Sequence, residues 1–83
     1  MAEIEWDSDQ RRISVTGVPQ DRDEFQSLMV HLADVTNTRR IDGISDICDE
    51  STDASALVTV QMKRGFDPQP ILDEIDRHFG TSL

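Results

Sequence analysis

The chain has 83 residues, enough for one domain with a modest core, and carries 17 acidic side chains against 8 basic ones, a formal net charge of −9. That balance excludes direct binding of nucleic-acid phosphates or anionic headgroups as an expectation, because both require clustered lysine and arginine to displace counterions. The lone cysteine, Cys48, excludes an intrachain disulfide and a multi-cysteine metal site, and a reducing compartment follows as the default.

Aspartate outnumbers glutamate and Lys63 is the only lysine. A selected binding surface and adaptation to salt or to a GC-rich genome both produce this usage, and composition leaves the two open. The first residues, Met-Ala-Glu-Ile-Glu-Trp-Asp, have neither a basic nor an apolar targeting region, and no apolar run approaches the ~20 residues that span a bilayer. Read as a complete chain, the protein is expected in the cytoplasm.

From Glu3 to Asp7, Ile4 and Trp6 alternate with Glu3, Glu5 and Asp7, which predicts a short edge strand with a solvated acidic face. Asp7-Ser8-Asp9-Gln10 is a turn, and Arg11 to Gly17, with Ile13 and Val15 on the buried parity, completes a hairpin in which Arg11 and Arg12 face the acidic strand. Gly17-Val18-Pro19 ends it. Asp21 with Glu24 forms a capping box, and Phe25, Leu28, Met29, Leu32 and Val35 recur as the apolar stripe of a helix, with Ser27, Val30 and Asp34 opposite. Thr36-Asn37-Thr38 breaks the helix, Asn37 being the residue suited to a left-handed close.

Ile41, Ile44 and Ile47 fit neither strict alternation nor a helix, and a bulge at Gly43 would reconcile them with a strand. Asp49 to Ser55 reads as a polar loop. Ala56 to Met62 is the clearest strand, with Ala56, Val58, Val60 and Met62 on one face and Leu57, Thr59 and Gln61 on the other. Asp67 and Pro68 then cap and open a second helix whose stripe is Ile71, Leu72, Ile75 and Phe79, and Gly80 stops it. The predicted fold is a single α+β domain over residues 1–83, in ββαββα order. It is a two-layer sandwich with two helices on one face of a four-stranded, mainly antiparallel sheet.

Candidate chemistry is sparse. His31 flanks the first stripe with Asp34 three residues on, and His78 flanks the second four residues after Glu74, so both read as helix-margin side chains without convergent partners. Asp46, Asp49, Glu50 and Asp53 surround Cys48 but lack the one-three-five spacing, central glycine and distal glutamate of a calcium loop. Those carboxylates raise a neighbouring thiol pKa, so Cys48 reads as a buried, inert thiol. No cofactor motif and no nucleophile constellation is present, and an enzyme is not expected. Arg39-Arg40, at the end of the first helix, and Lys63-Arg64, at the end of the strand over 56–62, are the two basic clusters; either could pair with an acidic loop or an acidic partner, and the helix-end pair reads first as a partner of the helix dipole.

Ile13-Ser14-Val15-Thr16-Gly17-Val18, a helix, and then Asp42-Gly43-Ile44-Ser45-Asp46-Ile47 resembles the pattern of BON domains, and that resemblance implies an envelope lipid or cell-wall ligand. The element order from Ile13 to Phe79 also looks like a ferredoxin-like metal-binding domain. The cysteine pair that resemblance implies, between Pro19 and Asp23, is absent, so no metal transport is expected.

The expected function is a small acidic, non-enzymatic interaction module, in the role of regulator, inhibitor or accessory subunit. It would bind a protein partner, a basic one being favoured, through its acidic surface or open sheet face. Leu57, Thr59 and Gln61 on that face, and Asp46, Asp49, Glu50 and Asp53 in the acidic stretch around Cys48, are the candidate partner-binding residues. Two other readings stay open: a BON-like ligand module, and an acidic nucleic-acid mimic that occupies a basic cleft.

Overall fold

Alternating carboxylates and apolar side chains cannot both be wet or both be dry unless the backbone is extended, and the first segment is accordingly strand β1, Glu3–Asp7. The computed structural model describes residues 3–80. Strand β2, Arg12–Gly17, follows a turn in which the Asp7 carboxylate accepts the N–H groups of Asp9 and Gln10, at 3.0 and 3.2 Å. A 3-10 turn over Pro19–Asp21 leads into helix α1, Arg22–Asn37. Strands β3, Ile44–Asp49, and β4, Ala56–Met62, and helix α2, Gln69–Gly80, complete the ββαββα order.

The sheet has four strands in the order β1-β2-β4-β3, and every neighbouring pair is antiparallel. Trp6, Ile13, Val60 and Ile47 lie in one row across it, and Ile4, Val15 and Val58 in the next, all on the face turned to the helices. Phe25, Leu28, Leu32 and Val35 of α1 and Ile71 and Ile75 of α2 close over those rows as one buried core. Full burial of each such side chain contributes about 1.5–3 kcal/mol. Phe25 and Phe79 join the helices edge to face, with centroids 5.6 Å apart. The apolar stripes and the strand parities expected from periodicity therefore all meet in one place, and Val30 stays outside at 70% exposure.

Three local details differ from expectation. Asp21 does not cap α1 with its side chain; its carboxylate reaches back to the Val18 N–H at 3.2 Å and closes the preceding 3-10 turn. Asn37 stays helical, and Arg39 takes the left-handed conformation (φ 60°), with its N–H on the Thr36 carbonyl and the Arg40 N–H on that of Val35. This is a Schellman close two residues later than Asn37 could provide, since it is Arg39 that stands first beyond the cap residue Thr38. The irregularity in β3 lies at Ser45, between Ile44 and Asp46, and not at Gly43. Gly43 still accepts a ladder-like bond from the Lys63 N–H at 2.7 Å, so the slip falls beyond it and brings Ile44 and Ile47 to the helix face.

Asp67 caps α2 as expected, accepting the Gln69 N–H at 2.9 Å, while the Pro68 carbonyl accepts from Ile71 and Leu72. Arg11, in the left-handed region at φ 52°, ties the hairpin turn to the β4–α2 connection. Its guanidinium donates to the Lys63 and Phe66 carbonyls, at 3.3 and 2.6 Å, and lies 5.6 Å from the Trp6 ring centre. Arg12 stands across from Asp7 in the register and donates to the Gln10 side chain.

Candidate functional site: the open face of the sheet

Side chains that alternate away from the core form three rows across the uncovered face. Glu5, Ser14, Thr59 and Cys48 make one; Asp7, Arg12, Gln61 and Asp46 make the next. Glu3, Thr16 and Leu57 make the third, which Glu50 extends by donating its N–H to the Leu57 carbonyl at 2.9 Å. Carboxylates thus stand on both edge strands while the two central strands supply hydroxyls, an amide, one guanidinium and Leu57. With strands about 4.8 Å apart, the two acidic rims are separated by roughly 14 Å. A shallow depression of about 410 Å³ opens beside the β3 rim, lined by Arg12, Ser45, Asp46, Cys48, Glu50, Thr59 and Gln61.

The expected partner-binding residues divide on this surface. The structure places Leu57, Thr59, Gln61, Asp46 and Glu50 on the same face. Asp49 has the opposite parity, pairing with Val58, and its carboxylate accepts the Ser51 N–H at 2.9 Å; hydrogen bonding from Ser51 holds its pKa below the ordinary carboxylate value. Asp53 lies beyond the strand in the β3–β4 loop. Leu57 is only half-buried, whereas Thr59 is 9% exposed because it sits on a central strand between Ser14 and Cys48. Gln61 spends its amide N–H groups on the Gln10 and Arg11 carbonyls, at 2.7 and 3.1 Å.

Cys48 is exposed, not buried as the sequence suggested, because the shift at Ser45 turns it to the open side. Its thiol donates to Asp46 at 3.3 Å, and that hydrogen bond, with the Asp46 charge and then Glu50, raises its pKa. The expected suppression of the thiolate is therefore present, with the opposite burial.

A second polar cluster lies between the helices. The His31 Nε2–H donates to Glu74 Oε1 at 2.6 Å; a carboxylate can only accept, which sets the tautomer. Arg77 donates to the other Glu74 oxygen at 3.2 Å, and the His31 and His78 rings stack 5.5 Å apart. Glu74 is buried, and the hydrogen bond from His31 holds its carboxyl below the ordinary value, burial opposing and Arg77 reinforcing that shift. His31 thus turns to Glu74 across the helix interface and not to Asp34 on its own helix, and the two histidines converge where sequence spacing indicated no partner. The signal in the sequence was Glu74 itself, an acid inside the Ile71–Ile75 stripe, facing a histidine inside the Leu28–Leu32 stripe. Among the described residues, no group of three or more His, Cys, Asp or Glu side chains is arranged to hold a metal ion. Nor is any helix among them long and apolar enough to cross a membrane.

No family model matches the chain. It is similar to the A subunit of a probable chloroplastic/mitochondrial DNA gyrase of Oryza sativa subsp. japonica, 32% identical over 75 residues that are 90% of this chain and 8% of that one. The corresponding chloroplastic/mitochondrial DNA gyrase protein of Arabidopsis thaliana is 32% identical over 66 residues, 80% of this chain and 7% of that one. That of Nicotiana benthamiana is 35% identical over 51 residues, 61% and 6% respectively. The chain spans less than a tenth of the length of these curated relatives.

Proposed function

We propose that this protein is a small, non-enzymatic interaction module that binds a basic protein partner on the open side of its sheet, as an accessory subunit or regulator does. The observation that carries the reading is the arrangement of that face: acidic rims on both edge strands, a hydrogen-bonding floor between them, and Leu57 as its half-buried apolar contact. Carboxylates so placed attract and orient lysine and arginine side chains and repel nucleic acid, so a contribution to a DNA-handling assembly would pass through protein contacts. The likeness to a short part of the DNA gyrase A subunit supports the same reading, since it concerns a module-sized stretch of a much longer protein. On that basis the chain acts within, or upon, an assembly concerned with DNA topology.

Affinity capture from the native host at matched salt tests the proposal. A specific partner held by the wild-type protein is expected to be lost with Leu57→Glu, which sets a carboxylate on the contact face, and kept with Val30→Glu on the outer face of α1. Equal retention by both variants would remove the open face from the account. The nucleic-acid-mimic reading draws on the same acidic rims and makes a different forecast. It requires that Asp46, Asp49 and Asp53 changed together to Asn release the partner, and that DNA compete for it.

A further inference from the structure

We infer that the partner engages the free edge of β3 as a fifth strand, through an extended segment in which basic and apolar side chains alternate. This inference rests on the proposed binding of a basic protein and specifies how that protein is held.

Strand β3 ends the sheet. The Glu50 N–H donates inward to Leu57, so antiparallel alternation turns the backbone groups of Cys48 and Asp46 inward as well and those of Ile47 and Asp49 outward, away from β4. The outward groups are a template for another strand. Beside them a groove of about 230 Å³ separates β3 from α1, with Ala33 and Thr36 on the helix side and Ile44 and Ile47 on the strand side. An added strand would thus meet two different surfaces on its two faces. Residues on its helix side would drop into the groove against Ile47. Residues on its open side would stand beside Asp46 and Glu50, where lysine or arginine is favoured and a carboxylate is not. The shift at Ser45 interrupts the ladder, which confines pairing to the stretch from Asp46 onward.

Charge also rules out a second copy of this chain as the occupant. Its own edge strands would bring either Glu3, Glu5 and Asp7 or Asp46 and Glu50 against the β3 acids, and like charges directly opposite are destabilising. The chemistry of the edge therefore selects a segment with alternating lysine and valine character.

The test uses the intact protein with a capped eight-residue peptide of alternating lysine and valine, and two isomers N-methylated either on all valines or on all lysines. The isomers share composition and charge, but only one methyl set falls on the backbone N–H groups that face β3: the valines in an antiparallel addition, the lysines in a parallel one. The parent is expected to bind at low salt and to slow amide exchange of Ile47 and Asp49. One isomer should bind at least tenfold more weakly, and the other close to the parent. Binding of both isomers as tightly as the parent, or slowed exchange at Glu3–Asp7 in place of β3, overturns strand addition while leaving a basic partner on the open face. Loss of binding by both isomers supports the inference if the parent slows exchange at Ile47 and Asp49, and overturns it otherwise. If no lysine peptide binds even at low salt, both strand addition and the basic-partner reading fall.

Discussion

Gly43 shows how a single residue governs the start of the edge strand β3. Its φ of 111° lies where side chains are rarely tolerated, and a Cβ there would come within 2.9 Å of the Phe66 Cβ and 3.1 Å of the Met62 Cε. Gly43→Ala is therefore expected to cost about 1–3 kcal/mol, read as a lower urea midpoint, and to loosen the start of β3; an unchanged midpoint would contradict that role. The sequence pointed to Gly43 as irregular, but its bond to Lys63 keeps it in line with β4 and displaces the irregularity to Ser45. Residue-level reading ran out for the same reason at Cys48 and Thr59. Alternation says which face a side chain takes within a strand, but an inserted residue resets that parity, and exposure depends on which neighbours the sheet order supplies.

At the scale of elements, the clear strands and stripes were legible because one-face burial demands a fixed period: Glu3–Asp7 and Ala56–Met62 have the expected boundaries. Contacts between elements were not, since His31 and Glu74 are 43 residues apart and meet only once both helices lie on the sheet. That pair makes a forecast with a definite sign. The Glu74 carboxyl is held below its ordinary 4.5, so its contribution is fully present above that pH and fades as pH falls through the lower folded value. Glu74→Gln should lower stability by about 1–2 kcal/mol near neutrality, and the melting temperatures of variant and wild type should converge as the pH is lowered from neutrality to below 4.5. Parallel curves over that range would show that the buried carboxylate contributes no pH-dependent stability.

For the molecule as a whole, two helices cover one side of the sheet and leave the other side to the solvent, bounded by carboxylates. The net charge of −9 was legible from composition; that Glu3, Glu5 and Asp7 line one rim of the open face and Asp46 and Glu50 the other needed the strand order, in which both edge strands carry acids at the outward parity. Such a surface should bind with steep salt dependence, because its contacts are exposed and screened within about 8–10 Å at physiological ionic strength. The most direct measurement is a residue-resolved amide shift map of the labelled protein against its captured partner at low and at high salt. Shifts at Asp46, Cys48, Leu57 and Thr59 that fade as salt rises are the predicted result. Shifts gathered on the outer face of α1 around Gln26 and Val30, or a complex indifferent to salt, would contradict the account.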